Sequence, residues 1–101
     1  MSNAQVFQRI TERLQKVDDE FASEFGAIFE ERVKRRTPVR TGRLRNGWQA
    51  YYSDTDITIE NHVPYAGYVE QGTEHFSGAH MLAITMTEIP EIAKIALRNI
   101  K

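Results

Sequence analysis

The chain has no cysteine. That excludes disulfides, thiolate zinc sites and cysteine nucleophiles, and it fits a protein that never visits an oxidising compartment. Long apolar runs are missing too: nothing approaches the roughly 18–20 residues of a membrane span, and no apolar signal-peptide core follows Met1. Glycine is sparse where phosphate chemistry would need it. Thr41-Gly42-Arg43-Leu44 holds a single glycine ahead of an expected strand, so it is no phosphate-binding loop. Histidine is scarce as well. His62, His75 and His80, with Glu70 and Glu74 nearby, match no established ligand spacing, so neither a metal nor a cofactor is expected. A Glu70–His75 acid/base pair would need a cleft that nothing in the sequence announces.

What remains is the composition of an ordinary globule: 101 residues, 41% hydrophobic and 27% charged. That length makes one domain with one modest core. The net charge of −1 conceals a strong segregation. Residues 1–31 carry −4, residues 32–45 carry +7 and residues 46–101 carry −4. The basic block is Arg32, Lys34, Arg35, Arg36, Arg40, Arg43 and Arg45. It faces either a polyanion or an acidic protein surface, including another copy of this chain. Its first four members have a plainer reading, as cations at a helix C-terminus.

Apolar residues at Phe7, Ile10, Leu14, Val17, Phe21, Phe25 and Ile28, with Phe29 and Val33 beyond, step by three and four. This is the stripe of an amphipathic helix over 5–36, ended by Thr37-Pro38. Such a helix would be about 48 Å long and would overhang a domain with a radius of gyration of about 13 Å. Phe7, Ile10 and Leu14 would lie on the overhang as a partner contact, unless Gly26 folds the helix back. The period then changes to two, predicting a β-hairpin over 43–62 around a Ser53–Asp56 turn. Trp48 should be buried with Phe25, Ile59 and Val69. Residues 63–78 read as an ordered connection with a helical turn over Tyr65–Glu70, stopped by Gly72. A C-terminal helix is expected over 79–100, with Pro90 in the first turn of a helix capped by Thr87 or at a kink. The fold class is therefore α+β: a long N-terminal helix on a small, mainly antiparallel sheet, with room for a further strand, and a C-terminal helix. Glu70 is the odd residue, a carboxylate inside an apolar segment that needs a partner. Arg43 and Arg45 are the nearest strand-borne candidates, within the subunit or across an interface.

Two clusters carry a resemblance. Thr37-Pro38-Val39-Arg40-Thr41-Gly42-Arg43-Leu44 stands between the helix and the hairpin. Tyr65-Ala66-Gly67-Tyr68-Val69-Glu70-Gln71-Gly72-Thr73 precedes the last helix. Over roughly residues 30–100 the chain resembles the small tail-component family of long-tailed bacteriophages, the head–tail joining, tail-completion or neck proteins. That pattern pairs Thr-Gly-x-Leu with Tyr-Ala-x-x-Val-Glu-x-Gly-Thr; here the loop after Thr73 is short, and His80-Met81-Leu82 replaces a Pro-Phe-Leu-like stretch. Thr41, Gly42, Leu44, Tyr65, Ala66, Val69, Glu70, Gly72 and Thr73 would be its structural motif residues. The resemblance implies a non-enzymatic virion protein made in the bacterial host cytoplasm, from phage or prophage. It would form rings with copies of itself. Its other neighbours would be tail-tube, tail-terminator or head-connector proteins, and DNA passing through the neck. Arg32, Arg36, Arg40, Arg43 and Arg45 are its candidate contacts, for protein in preference to DNA, because a channel through which DNA slides should not grip it. Two readings stay open beside this one: a small nucleic-acid-binding protein using Arg32–Arg45, and a small enzyme with an unrecognised site.

Overall fold

The structure is a computed structural model, and it describes residues 6–9, 19–39, 42–53, 56–73 and 76–100. The first long element is α1 (Asp19–Arg35). Its buried side chains Phe21, Phe25, Phe29 and Val33 recur every four residues, with Ala22 beside them, and form the spine of the core. The rings of Phe21 and Phe25 lie 5.7 Å apart, and those of Phe25 and Phe29 lie 6.0 Å apart. The helix ends where expected: the Thr37 N–H closes a last turn on Lys34 C=O at 3.0 Å, and Pro38 follows.

The helix does not begin at Gln5. Val6–Arg9 is a strand, β1, paired antiparallel with β3 (Asp56–Asn61), which also pairs with β2 (Trp48–Ser53). The sheet order is β1-β3-β2. The apolar spacing across Phe7 and Ile10 suits a helix locally, but Val6 and Phe7 also suit a strand. The ladder partner that decides between them, Val6↔Asn61 through Arg9↔Thr58, lies some fifty residues away. At 17 residues α1 is about 25 Å long, against a radius of gyration of 13.8 Å, so its described length gives no overhang. Phe7 belongs to β1, while Ile10 and Leu14 lie outside the described residues.

The hairpin is present, closed by the pairs Tyr52↔Ile57 and Ser53↔Asp56, but its first strand starts later than alternation implies. Arg43–Asn46 is a helical turn, α2. Gly42 sits at φ +87°, which turns the chain into it, and Asn46 N–H bonds Gly42 C=O at 2.9 Å. Leu44 is therefore buried from α2 rather than from a sheet face. Asn61, also buried, donates its side-chain amide to Leu44 C=O and accepts from Val63 N–H, tying α2 to the end of β3.

The connection holds the expected turn, α3 (Ala66–Gln71), stopped at Gly72 with φ +91°. The connection also holds two short strands: β4 (Gly72–Thr73) pairs antiparallel with β5 (Phe76–Ser77). The C-terminal segment is helical but divided into α4 (Met81–Met86) and α5 (Ile89–Asn99). Pro90 has no N–H to bond the Met86 carbonyl, so one helix cannot run through. Thr87 closes α4 instead of capping α5, through N–H and hydroxyl bonds to Ile84 C=O, and Glu88 stands at the start of α5. Ile89, Ile92 and Ala96 of α5 join the cluster around Trp48, Phe25, Ile57 and Ile59, with Val69 packed partly buried against it. The α+β architecture is as expected.

Candidate interaction surface

The basic block is largely spent inside the subunit. Arg32 donates to Glu88 Oε1 at 3.1 Å and to Glu91 Oε1 at 3.0 Å. Arg36 forks onto both oxygens of Glu88 and also donates to Thr85 Oγ1 at 2.9 Å. Arg32, Arg35, Arg36, Glu88 and Glu91 line a shallow cavity of about 290 Å³. Arg32 on the last turn of α1 and Arg36 just past its end thereby clamp the α4–α5 junction. The Arg36 fork, seconded by Arg32, holds the Glu88 carboxyl below its ordinary value despite the opposing effect of burial. Glu91 and then Glu88 push Arg32 further up, against the same effect of burial. Lys34 and Arg35 pair one turn back with Glu30 and Glu31. These carboxylates come from the acidic segments that flank the block in sequence.

Further along, Arg43 stacks over the Tyr65 ring at 5.8 Å. Arg45 is exposed and makes no ion pair among the described residues. Arg40 and Thr41 lie outside the described residues.

The second motif is a clamp on α4. Glu70 is buried, yet its partners are not Arg43 or Arg45. Its carboxylate accepts the backbone N–H of Leu82 at 2.8 Å and of Ala83 at 2.9 Å. Those donors belong to the first turn of α4 and have no partner inside the helix. Two backbone bonds add to the grip, Ala79 N–H to Val69 C=O at 2.7 Å and His80 N–H to Glu70 C=O at 2.9 Å. No sequence signal marks these donors, because every residue but proline has one; only the fold brings two of them to one carboxylate. The helical period of α3 turns Ala66, Val69 and Glu70 inward and Tyr68 outward, and Tyr65, just before the helix, is exposed as well. Gly72 ends the motif, and Thr73 pairs with Phe76.

A second surface lies at β2. Tyr51 and Tyr52 are both half exposed. Ala50 N–H points away from β3 and donates to Glu30 Oε1 of α1 at 2.8 Å. Beside it runs a groove of about 370 Å³ between α1 and β2, lined among others by Gly26, Ala27, Glu30, Ala50 and Tyr52. No sequence signal pairs Glu30 with Ala50. Among the described residues no group of three His, Asp or Glu side chains could hold a metal, and no helix is long and apolar enough to cross a membrane.

Arg32, Lys34, Arg35 and Arg36 are thus paired within the chain, while Tyr51, Tyr52, Tyr65 and Tyr68 are exposed on its small α+β fold. The chain belongs to the bacteriophage HK97-gp10-like family of tail components, whose pattern matches residues 4–72, over two thirds of its length. The match starts before the expected residue 30 and stops at Gly72, leaving α4 and α5 outside it. No curated protein and no solved structure matches the chain. The family makes this a virion-associated phage tail component with a structural role.

Proposed function

We propose that this tail component acts where head meets tail, as a non-enzymatic, ring-forming adaptor between copies of itself and tail-tube, tail-terminator or head-connector proteins. The observation that carries this reading is how the chain uses its charge. Four of the seven cations in the basic block are paired with carboxylates of the same subunit. The outward surface keeps Tyr51, Tyr52, Tyr65 and Tyr68 together with Arg43 and Arg45. Tyrosine and arginine are the residues that dominate protein–protein hot spots. Nucleic-acid binding through Arg32–Arg45 loses most of its electrostatic footprint to the same pairings.

The test is light scattering of the purified protein, alone and with tail tubes, followed by electron microscopy of the products. Ring-shaped oligomers or a stoichiometric load on tail ends are expected, and Arg45→Glu with Tyr68→Ala should weaken loading while the subunit stays folded. A protein that remains monomeric under every condition and leaves tails undecorated would sink the adaptor reading. Tight binding to random duplex that weakens steeply with salt would favour the nucleic-acid alternative.

A further inference from the structure

The sheet order β1-β3-β2 leaves two edges. β3 is paired on both sides, and among the described residues no strand covers the outer side of β1 or β2. An uncovered edge is a row of backbone donors and acceptors that templates a further strand. On β2 the outward row can be read from one bond: Ala50 N–H reaches Glu30, so by the two-residue alternation Tyr52 N–H also faces outward. Glu30 thus stands where a neighbouring strand's carbonyl would stand. Its other oxygen accepts from Lys34 Nζ at 2.9 Å, so displacing it from Ala50 would not leave it unpaired. The groove beside this edge is lined on the α1 side by Ser23, Ala27 and Glu30, and Gly26 packs directly against Ala50, which holds α1 close enough for Glu30 to reach the edge.

We propose that the β2 edge accepts the β1 edge of a second copy, and that Glu30 is a displaceable placeholder which satisfies that edge in the free subunit. This rests on the ring reading above and supplies its joint. Pairing unlike edges is a heterologous contact, which repeats from copy to copy and gives a ring when the rotation per copy closes; pairing β2 with β2 would stop at a dimer. Composition agrees with the choice of occupant. β1, Val6-Phe7-Gln8-Arg9, brings no acid to an edge held by the Glu30 carboxylate, and it is the other strand of this sheet with an uncovered side among the described residues. The exchange replaces one bond to Ala50 N–H by another, so free subunits gain little from it, and assembly awaits a template that holds several copies together.

The absence of cysteine permits a direct test on the whole chain. Tyr52→Cys would be combined in turn with Phe7→Cys and Gln8→Cys, so that both faces of β1 are sampled, and assemblies on tail tubes would be treated with a short bis-maleimide. At least one combination should give a ladder of covalent products beyond the dimer, while Tyr52→Cys alone gives none. Two companion variants should move association in opposite directions. Tyr52→Pro removes an outward N–H that an edge strand tolerates losing, and it should abolish assembly. Glu30→Ala should bring association to about tenfold lower protein concentration, as one charged hydrogen bond is worth. Rings that form without any cross-link, dimers from Tyr52→Cys alone, or a Tyr52→Pro chain that assembles like the parent would overturn the edge pairing and leave the ring reading standing. No assembly of the parent chain, alone or on tails, would overturn the ring reading and the pairing with it.

Discussion

Trp48 donates its indole N–H to Thr37 Oγ1 at 2.8 Å, and the Thr37 hydroxyl in turn donates to Val33 C=O at 2.7 Å. Both residues are buried. The first residue of β2 is thereby fastened to the point where α1 stops, and the largest side chain of the core has its polar atom satisfied.

Thr37→Val should therefore destabilise the protein by about 1–3 kcal/mol, because it leaves the buried indole N–H without an acceptor. Trp48→Ala should cost about 3–5 kcal/mol. Thr37→Val combined with Trp48→Phe should cost less than the two single changes together, since the pair shares one bond. Urea unfolding of the four variants checks this; strictly additive costs would mean the bond contributes nothing.

Glu70→Ala strips two N–H groups at the start of α4 of their acceptor. A loss of about 3 kcal/mol is expected, with the amides of Leu82 and Ala83 exchanging faster with solvent than those of α1. Arg43→Ala and Arg45→Ala should not reproduce it, as neither arginine reaches this carboxylate. If they do, an arginine and not the two backbone N–H groups holds Glu70 in place.

The Arg36–Glu88 clamp sets an acid dependence. Arg36 and then Arg32 lower the folded-state value of the Glu88 carboxyl from its ordinary 4.5. The stability it adds is therefore fully present above that value and is lost as pH falls through the lower folded-state one. The melting temperature of the parent chain should exceed that of Glu88→Gln at neutral pH, and the gap should narrow on acidification below about 4.5. A gap that stays constant to pH 2 would show that the charge of Glu88 is immaterial.

Gly78 has no space for a side chain. A Cβ there would lie 2.4 Å from Glu70 C=O oxygen and 2.5 Å from the Gln71 carbonyl carbon. Backbone cannot yield as a flexible side chain can, so Gly78→Ala should cost about 1–3 kcal/mol and loosen the Glu70 clamp. Calorimetry would read the first effect and amide exchange at Leu82 the second. An unchanged melting temperature would mean that the β4–β5 hairpin moves freely away from α3.

The sequence by itself determined α1 from Asp19 onward, its end at Thr37-Pro38, the hairpin around Trp48 and Ile59, the α3 turn stopped by Gly72, and the family. Each of these is written in short-range signals: a three-and-four spacing, a residue before proline, a two-residue alternation, a glycine able to take positive φ, and two adjacent motifs. Tertiary structure alone decided the rest. Whether Val6–Arg9 is helix or strand depends on β3, some fifty residues away, because four residues with both apolar and polar members satisfy either period. Leu44 fits a strand face until Gly42 turns the chain into α2. Arg32 and Arg36 belong to a +7 block in sequence and to a clamp in space, because Glu88 and Glu91 reach them only when α5 packs beside α1. Glu70 and Glu30 went the same way, since their partners are backbone N–H groups. Every residue but proline carries one, and only the folded chain determines which of them a carboxylate meets.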